Sequence, residues 1–189
     1  MIKPGLGLLF CIYAVACVNL EPRSGGVREF VLGPAAWEQA AKSGPGFYVD
    51  RPELPAYLSG NRFLYRGPGG EIHEIPNALW VEPLREGVAR ALAGYIAMKG
   101  ESGLGGFYPW SKTDKEIPEL RLRIQHFAPM ANGKLRFAAS WELRKSGETV
   151  ESGEVKLDEL EWKPGNPRDF VAGMNHGLEA VADEVADAL

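Results

Sequence analysis

Two stretches of the chain alternate apolar and polar residues with period two. In Glu119 to Phe127, Leu120, Leu122 and Ile124 fall on one side, and Arg121, Arg123 and Gln125 on the other. In Lys134 to Arg144, Leu135, Phe137, Ala139, Trp141 and Leu143 share a side. That repeat belongs to a strand with one buried face. Ala131-Asn132-Gly133 between the two predicts an antiparallel hairpin. Ser146-Gly147 then turns the chain into a third strand, Thr149 to Leu157. Upstream, Arg28 to Leu32 and Phe47 to Val49 read as short strands. Arg62 to Arg66, the glycine-rich Gly67 to Gly70 and Glu71 to Ile75 read as a second hairpin. Pro52 and Pro55 limit Arg51 to Ser59 to a short turn.

Two stretches carry the helical repeat instead. From Glu82 to Met98, Leu84, Val88, Ala91, Leu92, Tyr95 and Ile96 recur at three and four, with Pro83 suited to the first turn and Gly100 to the stop. From Asn166-Pro167, an N-cap followed by proline, a last helix runs to the C-terminus with Phe170, Met174, Leu178, Val181, Val185 and Leu189 as its stripe. Gly33 to Gly46 has no clean period and reads as a loop with one helical turn near Trp37 to Ala41. Gly103 to Lys115 also reads as a loop. The fold class is α+β: a largely antiparallel mixed sheet with two main amphipathic helices packed on one face.

The N-terminus departs from this globular pattern. After Lys3, residues Gly5 to Ala16 carry no charge. A positive start followed by an apolar run of this length is the pattern of a secretory signal peptide, too short to span a bilayer. Both cysteines of the chain, Cys11 and Cys17, lie here. A disulfide framework and a thiolate zinc site in the body are thereby excluded. Ala14-Val15-Ala16-Cys17 resembles a bacterial lipobox, with Ala14 where Leu is usual. The reading is a signal peptide at 1–16, a lipidated N-terminus and tether at 17–27, and one domain at 28–189. The resemblance implies diacylglycerol and acyl chains on Cys17, a covalent anchor rather than a cofactor, and several chains hold a protein to a membrane durably. Val18 after the cysteine points, by analogy with enteric bacteria, to the outer membrane.

Formal net charge is −4, and loss of the leader takes Lys3 with it. A mildly acidic chain lacks the basic stripe of a nucleic-acid binder. The three histidines, His73, His126 and His176, have no companion at metal spacing. There is no G-x-S-x-G elbow and no phosphate loop. The expectation is a protein with no catalytic residues, no metal and no cofactor.

Candidates for contact are aromatic and apolar residues at turns. Tyr57, Leu58, Asn61 and Tyr65 flank the proline-rich turn, where they serve either recognition or packing over the sheet edge. Leu79, Trp80 and Pro83 stand at the entrance to the first helix, either shaping a site or clamping the helix end. Phe107, Tyr108 and Trp110 lie in a Gly/Pro loop with no evident core partner.

Several of these residues also carry a resemblance. The run Leu54-Pro-Ala-Tyr57-Leu58-Ser-Gly60-Asn61-Arg-Phe-Leu-Tyr65 is followed by Leu79-Trp80 with Pro83-Leu84 and the amphipathic helix. Next come the strand ending at Phe127, a glycine turn and the strand with Trp141 and Leu143, and finally Arg168-Asp169-Phe170 at the last helix. In this order, over roughly residues 28–189, the chain resembles the PqiC-like (paraquat-inducible lipoprotein) family of ABC-type transport auxiliary lipoproteins. The resemblance implies a non-enzymatic accessory of transporters with MCE (mammalian cell entry) domains, which move lipids between the two membranes. It implies a site at the outer membrane that receives the periplasmic MCE-domain protein, and a ring-like homo-oligomer. The competing readings are a stand-alone periplasmic module for a small ligand and an envelope assembly factor.

Overall fold

The structure, a computed structural model, describes residues 26–34, 46–100, 103–112 and 116–189. The signal peptide, Cys17, most of the tether and the turn expected near Trp37 lie outside these residues. The strands are β1 (Arg28–Phe30), β2 (Gly46–Val49), β3 (Arg62–Arg66), β4 (Ile72–Trp80), β5 (Gly103–Phe107), β6 (Glu119–Pro129), β7 (Lys134–Lys145) and β8 (Glu148–Glu161). The helices are α1 (Leu84–Lys99) and α2 (Pro167–Ala188), with a 3-10 turn at Ala56–Leu58. The class is α+β, as the periodicities require. The strands divide into two sheets, β1-β4-β3 and β5-β2-β6-β7-β8.

The hairpins form where the turn residues predict. Ser146 and Gly147 both take positive φ, at 50° and 90°, the requirement of a two-residue turn matched to strand twist. β6, β7 and β8 pair antiparallel, whereas β2 runs parallel to both β5 and β6, and β1 runs parallel to β4. The alternating residues Leu120, Leu122, Ile124, Leu135, Phe137, Trp141 and Leu143 are all buried. On α2, Asn166 accepts a hydrogen bond from the Arg168 N–H at 3.1 Å and caps the helix. Its expected stripe is buried from Phe170 to Val185. α1 buries more than its stripe: Ala89, Ala93 and Ala97 are also inaccessible. It packs against α2 as well as β2 and β5, and small side chains permit contact on two sides.

Three boundaries differ from the sequence reading. Gly103–Phe107, expected as loop, is the edge strand β5. Its glycines leave no side-chain period to read, yet they let the backbone lie close: a Cβ on Gly105 would stand 3.0 Å from the Phe47 carbonyl oxygen and 2.5 Å from the Ile117 methyl carbon. Gly105 is the extra residue of a bulge between β5 and β2. β4 continues past Pro76 to Trp80, with Asn77 at a φ of 56° where the pairing with β3 changes register. β8 runs on to Glu161, past the expected end at Leu157, because residues 158–161 are mostly exposed and carry no alternation.

Phe170, in the first turn of α2, joins the sheets. It meets Phe63 of β3 at 5.1 Å and Phe127 of β6 at 4.8 Å, both edge-on. Phe63 in turn stacks on Trp80 at 4.1 Å. This aromatic cluster is the centre of the core, and fully burying one such side chain contributes roughly 1.5–3 kcal/mol.

Candidate interaction surface

The contact candidates separate into a packed set and an outward set. Leu58 and Trp80 are buried. Tyr57 is half-buried and donates its hydroxyl to the Phe127 carbonyl at 2.9 Å, with burial pushing its pKa upward. That bond ties the 3-10 turn to the edge of β6. Tyr65 is half-buried between the His73 ring, stacked at 5.2 Å, and Trp162, edge-on at 5.4 Å. Leu79 is half-buried on β4. Asn61 is exposed, and its carbonyl accepts the Trp80 N–H at 2.7 Å. These residues join β3, β4 and the turn before them, so their proximity serves packing directly.

The outward set is the segment after β5. Trp110 is 70% exposed, the most exposed large apolar side chain among the described residues. Phe107 and Tyr108 are half-buried and pack against the core. The segment is held in place by backbone and side-chain bonds. The Tyr108 N–H donates to the Val49 carbonyl at 2.9 Å and the Trp110 N–H to the Phe107 carbonyl at 3.0 Å. The Tyr48 hydroxyl donates to the Trp110 carbonyl at 2.6 Å. Burial, followed by the charges of Asp50 and Glu119, raises the Tyr48 pKa, so the phenol stays a donor throughout neutral pH. Arg51 lies over the Tyr108 ring at 5.8 Å, within the range of a cation–π contact. The loop thus presents one indole on a fixed base. Sequence reading found the aromatics but not Tyr48 of β2 and Arg51 just after it, which support them.

Beside this segment, on the solvent side of the five-stranded sheet, is a charged depression of about 540 Å³. Two of its arginines, Arg121 and Arg123, are matched by acids. Arg121 meets Glu119 at 3.0 Å and Asp50 at 3.5 Å, and Arg123 meets Glu53 at 2.7 Å. The hydrogen bond from Arg123 is the leading reason that the Glu53 pKa is lowered. Exposed pairs of this kind contribute little stability, but they already engage Arg121 and Arg123.

Among the described residues, no three His, Cys, Asp or Glu side chains could together hold a metal ion. His73 pairs with Glu71 at 3.0 Å. His126 is exposed on β6 and His176 on α2. No helix among the described residues is long and apolar enough to cross a membrane.

A family model described as the ABC-type transport auxiliary lipoprotein component matches residues 30–186. The chain belongs to this family. As a transport auxiliary lipoprotein it is an accessory component by family, and the match spans both sheets and both helices. A crystal structure of an uncharacterized protein is 15% identical, with a TM-score of 0.64, covering 86% of this chain and 99% of that one. A crystal structure of a protein from Xanthomonas campestris is also 15% identical, with a TM-score of 0.56, covering 84% and 89%. At these identities the likeness is one of fold. A search of curated proteins finds no match.

Proposed function

We propose that this auxiliary lipoprotein is a non-enzymatic adaptor, anchored through Cys17 at the periplasmic face of the outer membrane. It receives the periplasmic MCE-domain protein of an ABC-linked lipid transporter. The observation that carries the proposal is the position of the lipobox-like Ala14-Val15-Ala16-Cys17 ahead of a family match that begins at residue 30. A short spacer from Cys17 would keep the domain close to the membrane while leaving it free to meet a partner. The Trp110 segment supports the adaptor role, because an indole on a fixed base can insert into a partner without first losing much freedom.

The anchor is tested by metabolic palmitate labelling with membrane fractionation, comparing the native sequence with Cys17→Ala. The native protein should be labelled and sediment with outer membranes, and the variant should be unlabelled and soluble in the periplasm. A native protein that is unlabelled and freely soluble would remove the anchor, and with it the fixed position that an adaptor needs.

A further inference from the structure

A second cavity, of about 390 Å³, opens where the ends of β3, β6 and β7 meet. Arg66, His126 and Arg136 stand around it, and Pro68, Ala128 and Met130 provide apolar lining. Their convergence follows from backbone geometry. A register shift between Ile124 and His126 changes the phase of β6. Leu120, Leu122 and Ile124 face the core before it, and Phe127 does so after it. His126, Ala128 and Met130 are thereby turned to the other face, as a bulge re-aims side chains. Arg136 pairs directly across from Ala128, and a parallel bridge sets Arg66 beside Met130.

Among the described residues, no carboxylate lines this cavity, in a chain of net charge −4. Arg66 makes no ion pair among the described residues. Arg136 has only a distant one, with Asp158 at 3.8 Å, and both side chains are more than 60% exposed. The neighbouring depression is different, because Arg121 and Arg123 there are already matched by acids. The Arg66 guanidinium, the loosely paired one of Arg136 and an imidazole over an apolar lining form a complementary surface for an anion joined to an apolar chain. Guanidinium forks suit carboxylate and phosphate oxygens.

We propose that this cavity binds the anionic head of a single-chain amphiphile, a carboxylate or a phosphate monoester, with the first methylenes of its chain against Ala128, Met130 and Pro68. The inference does not depend on the adaptor role. It would stand for a protein with no transporter partner.

The test is calorimetric titration of the purified protein with laurate below its micelle concentration. Dodecyl maltoside serves as the uncharged counterpart and inorganic phosphate as the chainless one. Laurate should bind saturably at one site, at least tenfold more tightly than either control. The double variant Arg66→Glu/Arg136→Glu should weaken laurate at least tenfold, and Ala128→Trp, which fills the cavity and keeps both arginines, should do the same. Circular dichroism should show both variants folded, and if charge reversal prevents folding, Ala128→Trp alone decides. No saturable laurate binding, or binding unchanged in the folded variants, would overturn the proposal. Dodecyl maltoside binding as tightly as laurate would remove the anionic head from it. Phosphate binding as tightly would reduce the cavity to an anion site and equally overturn it.

Discussion

At the scale of single residues, Gly177 shows how close the packing is. A Cβ there would stand 2.4 Å from a carbon of the Phe137 ring, and that ring is buried in the core. Alanine in place of a helical glycine normally gains about 1 kcal/mol, whereas overfilling a packed core costs about 1–3 kcal/mol. Gly177→Ala should therefore lower stability by up to about 2 kcal/mol, read as a reduced urea midpoint with an unchanged slope. An unchanged or raised midpoint would show that the ring can move aside. Gly173 is more tolerant, because its nearest neighbour is the terminal carbon of Leu135. Nothing in the sequence distinguishes these two glycines, because the partner of each lies on β7. The same limit applies to Tyr48 and to Arg66. Each is ordinary in its own segment and gains a role only from residues far along the chain.

At the scale of elements, legibility follows the strength of the period. β6, β7 and α2 bury one clean face and could be read nearly whole. β5 could not be read, because glycine carries no polarity signal, and the end of β4 was hidden behind Pro76. The cavity at His126 had one visible trace: even-numbered apolar positions to Ile124 give way to Phe127, a phase slip that marks a bulge. The contact between α1 and α2 yields a further prediction. Lys99, in the last turn of α1, pairs with Asp183 and lies 3.5 Å from Glu179 on α2. The hydrogen bond to Asp183 leads the causes that raise the Lys99 pKa above its ordinary 10.5. A raised value stabilises the fold fully at pH below the unfolded-state value and is lost as pH rises through the folded-state value. Lys99→Met should therefore melt a little below the native protein at neutral pH, an effect within about 1 kcal/mol for so open a pair. The difference should close above pH 10.5. A gap that persists in strong alkali would assign the effect to packing of the lysine stem instead.

At the scale of the whole molecule, the two sheets are joined around Phe170 and present distinct surfaces to solvent. The larger sheet carries matched charges near Arg121, and the cavity at Arg66 lies where β3 of the smaller sheet meets β6 and β7 of the larger. The Trp110 segment, held by Tyr48 and Arg51, presents the most exposed indole among the described residues. The overall class and most elements were legible in the sequence, and so was the accessory family, through motifs kept in order along the chain. The surfaces were legible only in part, since each joins residues from separate strands. The proposed adaptor holds an MCE-domain protein at the membrane. Its most direct test is crosslinking of the tagged protein in intact cells, followed by mass spectrometry of the captured species, with Trp110→Ala alongside. The adaptor account predicts an MCE-domain protein as the main product and at least a tenfold loss of it in the variant, with stability unchanged because Trp110 is exposed. Efficient capture of other envelope proteins with no MCE-domain protein among them would contradict it.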